Sequence, residues 1–306
     1  METVLITGAN GLIGKRLTFL LQQKGYRVIH LSRNLPKTSA VETFLWDVNK
    51  QTIDEKAIRE ADYIIHLAGA GIADKKWTKK WKKEIIDSRV ESIHLLFKAI
   101  QKTNTTIKAF ISASGAGIYG ATTSENIFTE TDLPATDFLG ITCKLWEGAA
   151  ETISRLNIRT VKLRTGIVLS RNGGALEKMA RPVKLFVGSP LGSGKQYIPW
   201  IHLDDLCAIY IQAMEDTSMQ GAYNAVAPEH VTNEGFTTLI AKALHRPLVM
   251  PNVPAFLLQW ILGEMSVTVL NGSRVSCKKL EAAGFVFRYK TLDSAFKSLF
   301  PDPAES

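Results

Sequence analysis

Thr3-Val4-Leu5-Ile6-Thr7-Gly8-Ala9-Asn10-Gly11-Leu12-Ile13-Gly14 is the stretch that decides how this chain folds. Residues 3–7 form a short β-branched run closed by Gly8, and Leu12, Leu17, Leu20 and Leu21 then recur at helical spacing as far as Gly25. The reading is strand, tight turn, helix. Gly8, Gly11 and Gly14 have the spacing GxxGxxG across that turn. Glycine lets the backbone turn sharply, leaves N–H groups open to an approaching anion, and lets helix and strand pack closely, while the helix N-terminus adds partial positive charge. Without further context the same letters also describe a glycine-rich turn that holds nothing.

Outward from this stretch the alternation continues. Gly25 stops the helix, and Arg27-Val28-Ile29-His30-Leu31 reads as a second strand. Strands follow at 63–67, 108–112 and 159–163, separated by helical stretches at about 76–102 and 140–155. Strands apolar on both faces and spaced by helices predict an α/β fold, a Rossmann-type doubly wound parallel sheet with a smaller C-terminal substrate lobe. Past Arg164 the alternation fails and Gly and Pro multiply. The expected division is a Rossmann domain over 1–165, with 203–225 returning to it, and a substrate-side lobe from 166–202 and 226–306.

The end of the second strand bears on the ligand. A site for NAD usually carries an acid there to accept from the ribose 2′-OH, whereas the 2′-phosphate of NADP needs a cation and a hydroxyl. This chain has Leu31-Ser32-Arg33. Arg33 can fork onto phosphate oxygens and Ser32 can donate a hydrogen bond, which favours NADP(H). The alternative is a solvated surface arginine.

The composition of the 306 residues is that of an ordinary globular protein, 45% hydrophobic and 22% charged. No apolar run is long enough to span a bilayer, and Met1-Glu2-Thr3 leads straight into the first strand without a basic, cleavable leader. Cytoplasmic residence is expected. Cys143, Cys207 and Cys277 are widely spaced without CxxC, which points to reduced thiols and no metal site. The net charge of +8 comes largely from Lys75, Lys76, Lys79, Lys80, Lys82 and Lys83; without them 31 basic residues face 29 acidic ones. With Trp77 and Trp81 at i and i+4, this tract can be read as a nucleic-acid surface, as a solvated helix face with two core indoles, or as a rim of the nucleotide cleft.

Several further stretches carry a resemblance: Asp47-Val48, His66-Leu67-Ala68-Gly69-Ala70, Ile72-Ala73-Asp74-Lys75-Lys76-Trp77-Thr78, Ser88-Arg89-Val90, Ser112-Ala113-Ser114, Cys143 with Trp146-Glu147, Gly192-Ser193-Gly194-Lys195-Gln196, Trp200-Ile201-His202-Leu203-Asp204-Asp205-Leu206, Tyr223-Asn224-Ala225 and Lys279-Leu280-Glu281-Ala282-Ala283-Gly284-Phe285. Together with the glycine turn they resemble an extended, atypical member of the short-chain dehydrogenase/reductase superfamily, in the epimerase-like family that ends in a small domain of unknown function. The resemblance implies that Gly8, Asn10, Gly11, Leu12, Ile13 and Gly14 hold the pyrophosphate and that Ser32 and Arg33 hold the 2′-phosphate. It further implies that Asp47 sits near the adenine and that Leu67, Ala68 and Gly69 line the adenosine ribose. Arg89 falls close to where relatives place a polar residue behind the site; the alternative is an ion pair with Asp87 or Glu91. Helices often pair two subunits in this superfamily, so the partner the resemblance implies is a second copy of the chain, in a homodimer.

Catalysis is where the pattern departs. Relatives that move hydride use a YxxxK pair, but counting back from Glu147 puts Leu139 at the Tyr position and Cys143 at the Lys position. Lys144 is one residue, about 100°, out of register. Ser114 at the strand end and Tyr119 are the remaining catalytic candidates, Tyr119 being either a substitute acid/base or a loop tyrosine over the substrate pocket. Cys143 is a thiolate or a small helix hydrophobe. His202 is a structural or a catalytic histidine, and Lys195 and Gln196 are candidate anion or sugar contacts. The expected function is an NADP(H)-binding oxidoreductase or epimerase-like protein acting on an unidentified small molecule. The alternatives are a non-catalytic NADP(H) sensor and a nucleic-acid-associated protein.

Overall fold

The computed structural model describes residues 1–36, 38 and 40–300. In chain order the strands and helices are β1 (Thr3–Thr7), α1 (Leu12–Gln23), β2 (Arg27–Ser32), β3 (Glu42–Asp47), β4 (Thr52–Ile53), α2 (Glu55–Arg59), β5 (Tyr63–His66), α3 (Lys79–Thr103), β6 (Ala109–Gly115), β7 (Ile127–Phe128), α4 (Phe138–Ser154), β8 (Arg159–Thr165) and β9 (Ile167–Leu169). They continue as α5 (Ala175–Lys184), β10 (Tyr197–Ile198), β11 (Trp200–His202), α6 (Leu203–Glu215), β12 (Gly221–Ala225), β13 (Val231–Thr232), α7 (Asn233–Ala243), α8 (Ala255–Leu262), α9 (Val267–Leu270), β14 (Arg274–Val275), α10 (Lys278–Ala282) and α11 (Leu292–Leu299).

An eight-stranded sheet runs β12-β8-β6-β5-β1-β2-β3-β4. Within it β1 pairs in parallel with β2 and β5, β2 with β3, and β5 with β6; the short β4 is antiparallel to β3. All five residues of β1 are buried, as expected of a strand covered on both faces. The chain builds outward from β1 to β2 and β3, then crosses back to start β5 on the other side. That reversal is the topological switch point where α/β sheets bind ligands. This is the Rossmann-type α/β architecture anticipated from the alternation.

Local signals explain the first elements. Helix α1 buries Gly14, Leu17, Thr18 and Leu21, one face at helical spacing. It ends where Gly25 takes φ +86 and the Tyr26 N–H donates to the Leu21 carbonyl, a left-handed stop that favours glycine. Helix α3 begins later than periodicity suggests, because Thr78 is the N-cap, its Oγ1 accepting from Trp81 N. Trp77 therefore lies outside the helix, and the two indoles are not one helix face; Trp77 Nε1 donates instead to the Ile72 carbonyl at 2.9 Å.

Two compact units divide the chain. The first comprises Met1–Ser114, Thr142–Leu163 and Cys207–Tyr223; the second comprises Gly115–Ile141, Arg164–Leu206 and Asn224–Ser306, the last six of those residues lying outside the described ones. The second unit has its own core, in which Leu169, Leu176, Trp200, Phe236, Leu292 and Phe296 are buried together, with the Phe236 and Phe296 rings edge-on at 5.4 Å. Among the described residues no helix is long and apolar enough to cross a membrane.

Two histidines of the first unit make its stability pH-dependent. Burial, with the nearby Arg89 cation adding to it, pushes the fully buried His66 down to about 3; burial pushes the less enclosed His30 down to about 4. Both stay neutral in the fold but gain a proton near pH 6.5 in the unfolded chain. Stability is thus fully present above about pH 6.5 and declines as the pH falls toward those depressed values. His66 alone removes up to about 2 kcal/mol between pH 6.5 and 5, at ~1.4 kcal/mol per pH unit, and His30 removes less. Urea midpoints measured at pH 7 and pH 5 check this; an unchanged midpoint refutes it.

Candidate dinucleotide site

The carboxyl end of β1 opens into a cleft of about 1670 Å3, larger than the ~300–1,000 Å3 of ordinary small-molecule pockets. Gly8, Ala9, Asn10 and Gly11 line it, and so does Lys15 one turn into α1. Gly8 holds φ +68, and a Cβ there would lie 2.8 Å from the Leu67 carbonyl carbon and oxygen. Only glycine permits so close a pass. The Gly11 N–H closes the turn onto the Gly8 carbonyl at 3.0 Å. A Cβ on Gly14 would meet Ala9 Cα at 2.5 Å, so this glycine brings helix and turn together rather than lining the cleft.

The start of α1 has no substitute for a ligand. Its N-cap, Gly11, offers no side chain, and no acid occupies the first turn. The N–H groups of Leu12 and Ile13 fall within the first turn, which has no intrahelical acceptor, while Lys15 N–H already donates to Gly11. Leu12 and Ile13 themselves are not among the lining side chains. A helix terminus in this state suits an anion.

Ser32, Arg33, Asp47, Leu67, Ala68 and Gly69 all line the same cleft. The Arg33 side chain is exposed and has no ion-pair partner among the described residues. Asp47 closes β3, its Oδ1 accepting from Asn49 N and Lys50 N at 2.9 and 3.1 Å, while Oδ2 lies 3.8 Å from Lys50 Nζ. The floor is fixed by Thr7, whose Oγ1 accepts from Leu67 N at 3.1 Å and Ala68 N at 3.2 Å.

Arg89 acts from behind this wall. It is 6% exposed, Nη1 donates to the carbonyls of Ala70 (2.9 Å) and Ile85 (2.8 Å), and the guanidinium lies 4.8 Å from the Trp146 ring. The ion pair with Asp87 or Glu91 does not form; Asp87 pairs with Lys83 instead. A Cβ on Gly69 would be 3.1 Å from Arg89 Cζ, so arginine and glycine are matched in shape. Lys15, Trp46, Lys75, Lys76 and Lys80 also line the cleft. Lys15 carries a local sequence signal for this position, a cation one turn after Gly11.

The catalytic candidates sit elsewhere. Ser114 Oγ is buried and donates to Glu147 Oε1 at 2.7 Å, so its hydroxyl hydrogen is already engaged within the protein. Cys143 is buried on α4, and Lys144 points to solvent, away from the vacant lysine position. Tyr119, in the second unit, is 2% exposed: its hydroxyl donates to Asn224 Oδ1 at 2.6 Å and accepts from Arg164 Nη1 at 2.9 Å. Burial, outweighing the pull of Arg164, pushes it up to about 12, which leaves it poorly suited to exchange protons at neutral pH. His202 is buried with Nδ1 accepting from Asp204 N, its ring 3.9 Å from Tyr289. Gln196 spends its amide N–H groups on the Leu191 and Val269 carbonyls, a structural use; Lys195 is exposed.

Similarity to known proteins defines the class. Residues 4–226 match the NAD dependent epimerase/dehydratase family, and residues 253–299 match a domain of unknown function, DUF1731. The chain belongs to the NAD dependent epimerase/dehydratase family. It is 36% identical over 301 residues to the epimerase family protein YfhF of Bacillus subtilis strain 168, covering 98% of both chains. It is 33% identical to the mouse epimerase family protein SDR39U1 over 97% of this chain and 99% of the mouse protein. The crystal structure of human SDR39U1 (isoform 2) with NADPH is similar at TM-score 0.87 and 31% identity, over 98% of this chain and 100% of that one. A nucleoside-diphosphate sugar epimerase of Corynebacterium glutamicum is similar at TM-score 0.80 and 31% identity, over 99% of this chain and 60% of that one.

Proposed function

We propose that the chain binds NADP(H) in the β1 cleft and serves as an oxidoreductase or epimerase-like protein for a small molecule. The observation that carries this is the pairing of an uncapped helix N-terminus, reached through Gly8, with Ser32-Arg33 at the end of β2, where no acid stands. The residues present fit the cofactor: a Cβ would fill the cradle at Gly8, and the exposed Arg33 has no carboxylate partner among the described residues. Backbone N–H groups at the start of α1 would hold the pyrophosphate, Ser32 and Arg33 the 2′-phosphate, and Asp47 Oδ2 the adenine amino group. When bound, the nicotinamide supplies hydride donation or acceptance. Ser114 and Glu147 form a buried hydrogen-bonded pair, and Arg89 positions the wall at Gly69 and Ala70.

The human relative with NADPH supports this reading by similarity. In titrations followed by tryptophan fluorescence, NADPH should bind at least ~10-fold more tightly than NADH, a gap of ~1.4 kcal/mol that closes in Arg33→Ala. Equal affinities, or an unchanged gap in the variant, reject the NADP(H) assignment. A second reading, a non-catalytic NADP(H) sensor, is favoured by Leu139 and Cys143 at the Tyr and Lys positions; binding without hydride transfer to any carbonyl in a broad panel would support it.

A further inference from the structure

The six lysines between 75 and 83 divide by where they stand. Lys75, Lys76 and Lys80 line the β1 cleft; Lys79, Lys82 and Lys83 do not. Lys83 pairs with Asp87, and Lys82 lies 5.9 Å from the Trp77 ring. Lys75, Lys76, Lys79 and Lys80 have no ion pair among the described residues, and Lys75 is stacked 4.6 Å over the Trp81 ring.

The backbone carrying them is fixed. The Trp77 indole is buried and donates to Ile72, Thr78 N–H donates to the Lys76 carbonyl at 2.9 Å, and Thr78 Oγ1 caps α3. Gly71 is folded so tightly against Asp74 that a Cβ there would lie 2.2 Å from Oδ2. This loop follows β5, and β5 and β2 flank β1 on opposite sides. Cations therefore line the cleft from both flanks of β1: Arg33 from the β2 side, the three lysines from the β5 side. The acids on the same cleft are Asp47, Asp74, whose carboxylate packs against Gly71 in this same loop, and Glu84, Asp87 and Glu91, which lie one to three turns further along α3, with Asp87 already paired.

A phosphomonoester carries about −1.5 to −2 charges at neutral pH, more than one arginine balances. We propose that Lys75, Lys76 and Lys80 form the second half of the 2′-phosphate site, so that the loop between β5 and α3 selects NADP(H) together with Arg33. The inference rests on the NADP(H) reading of the cleft. Lysine suits the role because its compact ammonium acts as a point charge that needs no fixed bidentate geometry.

Calorimetric titration with NADPH and NADH tests it on three proteins: wild type, the triple variant Lys75→Gln/Lys76→Gln/Lys80→Gln, and the control Lys79→Gln/Lys82→Gln/Lys83→Gln. The lining triple should raise the Kd for NADPH at least ~10-fold, change that for NADH less than ~3-fold, and flatten the salt dependence of NADPH binding, while the control matches wild type. Wild-type NADPH affinity in the lining triple, or an equal loss of NADH, overturns the proposal while the NADP(H) reading stands. A wild type that binds both dinucleotides equally overturns both.

Discussion

Gly8→Ala is expected to lower stability by about 2–5 kcal/mol and to abolish dinucleotide binding, whereas Gly25→Ala should cost only about 1–2 kcal/mol and leave binding intact. Both glycines adopt positive φ, +68 and +86, so both substitutions pay the left-handed penalty of ~1–2 kcal/mol. They differ in space. Around Gly25 nothing lies within 4 Å of the added Cβ; at Gly8 the Cβ meets the Leu67 carbonyl and Ala68 nitrogen at 2.8–2.9 Å. Those are backbone atoms held by Thr7, so they yield only if the strand ends separate, which adds the ~1–3 kcal/mol of an overpacked site. Denaturant midpoints and NADPH titrations of the two variants, side by side, separate the dihedral penalty from the contact. If Gly8→Ala behaves like Gly25→Ala, the close approach is not what the glycine is for.

Arg164→Ala should be nearly as damaging, at about 3 kcal/mol or more, although it lies in the second unit and far along the chain from the glycine turn. Arg164 is buried, its Nη1 donates to Tyr119 Oη and to the Glu130 carbonyl, and its Cζ sits 5.4 Å from the Tyr119 ring. Asn224 completes the knot: Oδ1 accepts from Tyr119, Nδ2 donates to the Ser276 carbonyl, and its backbone N–H donates to Glu130 Oε1. Removing the cation leaves buried acceptors without their donor, and charge-assisted hydrogen bonds are worth ~1.5–3 kcal/mol each. Tyr119→Phe deletes one member and should cost about 1–2 kcal/mol. A double-mutant cycle on urea-unfolding free energies should return a coupling of ~1 kcal/mol or more between the two. Additive losses would mean the tyrosine is held by packing alone, and its hydroxyl would again be open to a chemical role.

How much of this was legible follows from how far apart the interacting residues are. β1, β2 and β5 were readable because strands buried on both faces of a parallel sheet are continuous apolar runs, and the glycine turn was readable because its three members act within seven residues. The second unit was opaque. Its strands are two or three residues long and pair across the chain, Ile127 with Arg274 and Trp200 with Ile167, so no local period exists to detect. Tyr119 looked available for acid/base work because its partners lie 45 and 105 residues away. Gln196 resembled a ligand contact for the same reason, since one of the carbonyls that consumes its amide is 73 residues distant. The late start of α3 is a different case. Thr78 is an ordinary N-cap residue, and hydrophobic periodicity overrode it.

Thr7 has a consequence for time as well as for shape. Its single oxygen receives two amide protons, so the backbone beneath the ligand is set before anything docks. Encounter with such a surface requires little local rearrangement, and arrival rates should vary little from one dinucleotide to the next. Discrimination will then be written in residence times: the better-matched nucleotide is the one that leaves more slowly.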